Sequence, residues 1–152
     1  DNKHHKLFQT NYDVYAIAPI VGFLYQRKAE LDKSTDEVTK VFGDKMMKEK
    51  QNLLFNYRLI MLLDEKHEHD FNKRIDKAFR DYETEKAIPD EELYEDYVRG
   101  GVEVLFEKLI QPASNAEDYL KNLYDFMEEF DERYNEAVST DEIIDLCQLA
   151  KS

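Results

Sequence analysis

Asp64-Glu65-Lys66-His67-Glu68-His69-Asp70 is the stretch of this sequence densest in metal-ligating side chains. Glu65 and His69 stand four apart, a spacing that places two ligands on one face of a helix. With His67 they would centre a metal-dependent enzyme, one of the functions the residues leave open. A di-iron bundle, however, takes Glu-x-x-His pairs and further carboxylates from separate helices, and no such pair recurs here. The plainer reading is a solvated, charged stretch between two apolar stripes, so no metal or other cofactor is expected.

Other catalytic arrangements find less support. Cys147 is the single cysteine, it falls on the apolar side of a short terminal helix, and none of the four histidines is near it in sequence. Small buried thiols are mostly inert. His4 and His5 sit in a polar segment, 1–9, expected to be flexible. There is no glycine-rich phosphate loop, nucleophile elbow or dinucleotide fingerprint. Carboxylates are too abundant for any pair to be informative. The expectation is a protein that is not an enzyme.

The elements that must carry these residues are helical. Apolar residues make up 42% of the 152 residues and 36% are charged; ten Tyr and nine Phe are enough bulk to fill a core. Four Gly and three Pro are too few turn-formers for a many-stranded β protein. Capping boxes at Ser34/Glu37, Ser114/Glu117 and Ser139/Glu142 mark helix starts. A helix is expected over Tyr12–Glu30, apolar on all sides and bent or interrupted at Pro19. The stripe Leu53, Leu54, Tyr57, Ile60, Met61 resumes as Phe71, Ile75, Phe79, Tyr82, giving two helices or one with a weak middle. From Asp90 to Gln111, residues Leu93, Tyr94, Tyr97, Val98, Gly101, Val102, Leu105, Phe106 and Leu109 share a face. Gly100 and Gly101 cost that helix about 1 kcal/mol each relative to Ala; with Gly101 on the apolar face, close approach of another helix is the reason to expect. Ala116–Ala137 shows Tyr119, Leu120, Leu123, Met127, Phe130 and Tyr134 opposite an acidic face, and a last helix carries Ile143, Ile144, Leu146 and Leu149. Together these give an all-α, single-domain bundle of about six helices over residues 1–152.

Charge narrows the function. The net charge is −13, but residues 1–50 balance at +1 and residues 51–152 at −14. The acidic part repels nucleic-acid phosphates. Lys40, Lys45, Lys48 and Lys50, with Arg27 and Lys28 before them, are interspersed with acids and read as a mixed surface, so strong direct nucleic-acid binding is not expected. The longest apolar run, Val14–Tyr25, is too short for the roughly 18–20 residues a spanning helix needs, and Asp1–Lys6 lacks the apolar core of a secretory signal. A cytoplasmic protein without membrane association is expected. Its acidic helices fit a docking surface for a protein partner, with Tyr94, Tyr124, Glu128, Asp131 and Glu132 as contact residues and a homo-oligomer also open. The alternative is an acidic mimic of DNA that inhibits a nucleic-acid enzyme.

Two stretches carry a family likeness. Tyr12-Asp13-Val14-Tyr15-Ala16-Ile17-Ala18-Pro19-Ile20-Val21-Gly22-Phe23, followed by Arg27-Lys28 and Leu31, resembles an aromatic/Asp-Val-aromatic-x-x-Ala-x-x-x-Gly-aromatic signature. Tyr97-Val98-Arg99-Gly100-Gly101-Val102-Glu103-Val104-Leu105 is similar to a second, in which Gly-Gly precedes an apolar-Glu-apolar-Leu run. With the helix Asn52–Asp64 between them, residues 8–110 resemble the small accessory proteins encoded beside bacterial DNA phosphorothioation (Dnd) gene clusters and related phage-defence loci. Pro19 and the acidic C-terminal helices depart from that pattern. The family has no established catalytic motif; the resemblance implies a cytoplasmic accessory subunit of a prokaryotic DNA-defence system.

Overall fold

A computed structural model describes residues 11–30, 50–134 and 140–151. Six α-helices and no strand are present among them: α1 Asn11–Leu24, α2 Lys50–Leu63, α3 Phe71–Ile75, α4 Ile88–Leu105, α5 Ala116–Tyr134 and α6 Thr140–Lys151. The protein is all-α, as its composition and periodicity require. The Ser34/Glu37 box, Ser139 of the last box, His4, His5, Lys40, Lys45, Lys48 and the stretch 1–9 lie outside the described residues.

The polar stretch after α2 breaks the long apolar pattern into two helices. Asp70 caps α3, its Oδ1 accepting from the N–H groups of Asn72 at 2.9 Å and Lys73 at 3.4 Å. Both α3 and α4 then widen by one residue per turn, through Asp76–Arg80 and Phe106–Ile110, where Asp81 N–H reaches Asp76 O and Gln111 N–H reaches Phe106 O. At α5 the cap falls one residue later than the Ser114/Glu117 box. Asn115 Oδ1 accepts from Glu117 and Asp118 N–H, and Asp118 reaches back to Ser114 N–H. Ser and Asn serve equally well as caps, so spacing alone does not choose between neighbours.

Helix α1 runs through Pro19 without interruption and stops six residues before the expected end at Glu30. It closes in a left-handed turn at Gln26, φ 52°, with Gln26 N–H on Phe23 O and Arg27 N–H on Gly22 O. The following residues lie extended along α4: Ala29 N–H donates to Asp96 O at 3.1 Å, and Arg99 Nε donates to Ala29 O at 2.7 Å.

Where α1 crosses α4 the two helices are in direct backbone contact. A Cβ on Gly101 would stand 1.7 Å from Ala18 O, and one on Gly22 would stand 1.9 Å from Tyr97 O. No side chain fits there; the two backbones touch, as Gly101 on an apolar face suggested. Burial of Pro19 beside this contact offsets the hydrogen bond its missing N–H cannot donate. Around the crossing the core fills with Ala18, Val21, Tyr57, Ile60, Met61, Leu62, Tyr97, Val98, Leu105 and Leu109, and α6 adds the buried Ala150. No described helix is long and apolar enough to cross a membrane.

Candidate functional site

Two places hold groups that the core does not require. The first is the Asp64–Asp70 loop with its partners on α3 and α4. Asp64 is buried: its Oδ2 accepts from Tyr97 Oη at 2.7 Å and its Oδ1 from His67 N–H at 3.1 Å. That turn carries the His67 imidazole to Asp90, where Nε2 meets Oδ1 at 2.5 Å. Asp90 is only 1% exposed, and Lys77 Nζ spans both of its oxygens at 2.8 and 3.0 Å. Burial, followed by the hydrogen bond to Asp64, pushes the Tyr97 hydroxyl well above the usual tyrosine range. Tyr57 is pushed up by burial and then by the Asp90 charge, and its hydroxyl makes no hydrogen bond among the described residues.

Much of this loop is solvated, as its charges suggest: Glu65, Lys66, His67, His69 and Asp70 are exposed, and Asp64 is the buried member. Glu65, His67 and His69 turn to different partners: Glu65 Oε1 accepts from Arg74 Nη2 at 3.3 Å, His67 goes to Asp90, and His69 offers its backbone carbonyl to Arg74. Among the described residues no three His, Cys, Asp or Glu side chains converge in a way that would hold a metal ion. Both Asp90 oxygens are already engaged by Lys77 and His67, so the cluster acts as a staple joining the α2–α3 connection to α4. Salt bridges buried this deeply gain from pairing only when each charge is answered, and here the Asp90 charge is.

The second place is the outer side of α5. Its inner side is anchored: Phe126 stacks on Tyr25 with ring centroids 6.1 Å apart, Phe130 lies 6.4 Å from the same ring, and the Arg133 guanidinium sits 4.7 Å over it. Lys108 Nζ bonds Glu129 Oε2 at 2.6 Å, and Asn122 Nδ2 donates to Leu109 O. Leu120, Tyr124 and Met127 point the other way, 57%, 66% and 58% exposed. Beside them Glu117, Glu128, Asp131 and Glu132 are exposed too.

Of the expected contact residues, Tyr124, Glu128, Asp131 and Glu132 therefore share this helix surface. Tyr94 does not. It is 5% exposed and packs edge-on against Tyr57 with centroids 5.8 Å apart, because the face of α4 that holds it is the core face. Leu120 and Met127, read as core, are exposed, while Phe126, absent from that stripe, packs inward. A signal for this was available. Apolar residues cover about 160° of α5 at 100° per residue, wider than the roughly 100° stripe that one packed face takes up. Val102, Phe106 and Ile110 form a second exposed row, on α4 and its widened end, although Val102 and Phe106 belong to its expected core face.

Two cations of the first third, Arg27 and Lys28, are engaged. Arg27 pairs with Glu107 at 3.0 and 3.1 Å, and Lys28 Nζ lies 4.8 Å over the Tyr97 ring. Cys147 is a free thiol, half-buried on α6. No family model matches the chain, and neither a curated protein nor a solved structure matches it.

Proposed function

We propose that this chain is a small acidic, non-enzymatic accessory subunit that works by binding another protein. The observation that carries the reading is the exposed row Leu120, Tyr124 and Met127 on a helix otherwise crowded with carboxylates. Contiguous exposed apolar residues rimmed by polar ones mark interaction surfaces, and aromatic residues with Met are favoured at their centres. The buried Asp90 cluster, with its oxygens occupied, offers no comparable place for a substrate.

The likeness to Dnd-associated accessory proteins supports a prokaryotic DNA-defence setting in the cytoplasm. Its two motifs meet at the α1–α4 crossing through Gly22 and Gly101, so what they encode is a helix pair; binding falls to α5, outside them. The test is purification of the tagged chain from its native host at moderate salt, in parallel with a Tyr124→Ser variant. A specific protein retained by the first and lost by the second is the expected result; no specific protein with either defeats the reading. A DNA mimic would instead be displaced from its target by added duplex, with affinity falling steeply in salt.

A further inference from the structure

Leu120, Tyr124 and Met127 recur at intervals of four and three residues, so they stand on successive turns and span about 10 Å of helix. Viewed down the axis they occupy a strip about 60° wide. Glu117, Glu128 and Glu132, with Lys121 among them, border that strip on one side, Asp131 falls on the strip one turn past Met127, and on the other side Leu123 and Phe130 turn down onto the body of the protein. An occupant must be apolar along one line and positively charged along the next. We propose that α5 seats a basic amphipathic helix of a partner protein, with apolar residues at i, i+4 and i+7 lying on Leu120, Tyr124 and Met127 and Lys or Arg side chains facing Glu117, Glu128 and Glu132. This rests on the binding-subunit reading and names the chemistry of the partner.

The charge of α5 selects this occupant over the others. The helix holds seven acidic and two basic residues, so a second copy would set two like-charged flanks against each other, an arrangement that suppresses pairing. A nucleic acid carries the same sign as the helix. An apolar face presented on one helix is matched by the apolar face of another, read at the i, i+3, i+4 and i+7 positions.

Three synthetic peptides of about 18 residues, a length that covers the α5 row several times over, test the proposal by calorimetry with the intact chain. One carries Leu at i, i+4 and i+7 with Lys and Arg beside them. The second keeps the Leu positions and replaces the basic residues with Glu; the third keeps the composition of the first and scrambles the Leu spacing. The first is expected to bind about tenfold or more tighter than either control. It is also expected to weaken with salt, and to lose about tenfold or more in affinity with the Leu120→Ser/Met127→Ser variant. Equal binding by the scrambled peptide would mean charge attraction alone and overturn the proposal, as would equal binding by the Glu peptide or indifference to the double substitution. A concentration-dependent dimer in sedimentation, abolished by the same double substitution, would assign the face to a second copy and overturn it too. If no peptide binds while the native-host partner is still lost on Tyr124→Ser, the basic helix is wrong and the binding-subunit reading survives. If both fail, both are wrong.

Discussion

Helices α1 and α5 each carry apolar residues over more of their surface than one packed face requires, yet the protein uses them in opposite ways. In α1 much of the surplus is absorbed: Ala18, Pro19, Val21 and Gly22 are buried while Ile17 stays exposed, and the backbone is so close to α4 that a single added methyl group would overlap Ala18 O or Tyr97 O. In α5, Leu123, Phe126 and Phe130 find cover, and Leu120, Tyr124 and Met127 are left in solvent. The same local signal thus marks a core element when small residues let a second helix in, and an exposed apolar row when no described segment covers it. Width of the stripe tells how much must be covered; it does not tell by what.

The contrast can be broken by mutation, and the largest effect should fall on the crossing. Gly101→Ala forces α1 and α4 apart, because the obstacle is backbone rather than a side chain that can swing away; a loss of about 3 kcal/mol or more is expected in urea unfolding. Asp90→Ala comes next, at about 3 kcal/mol, since it leaves Lys77 and His67 without their carboxylate. Lys77→Met made together with it should recover part of that loss, a coupling a double-mutant cycle reads directly.

Alkaline titration probes the tyrosines that the same region buries. Tyr57 and Tyr97 are both raised above their usual value near 10, so the unfolded chain releases these protons first. The neutral forms are favoured in the fold, and stability complete below pH 10 is lost as pH rises above it, by about 1.4 kcal/mol per pH unit for each tyrosine. Tyr57→Phe should halve that slope. At neutral pH the same substitution removes a buried hydroxyl that makes no hydrogen bond among the described residues, and a gain of about 1 kcal/mol is expected. The smallest change belongs to α5. Leu120→Ser/Met127→Ser should alter unfolding free energy by less than about 0.5 kcal/mol while abolishing partner binding; a large loss of stability would show that this face is core after all.

Much of the fold was legible in the residues. The helices from Leu53 to Met61 and from Asp90 to Leu105 follow their 3.6-residue period, and Gly101 announced a close neighbour because an interior glycine on an apolar face has little other purpose. The candidate surface was legible in part. Tyr124, Glu128, Asp131 and Glu132 share one exposed surface, but Tyr94 belongs to the apolar face of α4, and the periodicity that put it there correctly marked it as core. The Asp64–Asp70 loop was least legible. Most of its charges are solvated as expected, but Asp64 is buried against Tyr97 and His67 reaches Asp90, residues 33 and 23 positions away that local spacing does not reveal.

What the sequence determined by itself was the all-α class, which sides of α2 and α4 are apolar, and that the acidity belongs to the last two-thirds. The tertiary structure decided which carboxylates are enclosed and which apolar stripe is covered. The physical reason is range. Helix periodicity is fixed by neighbours three and four residues apart, while burial of Asp90 or exposure of Leu120 depends on whether a distant segment brings a matching surface to that point.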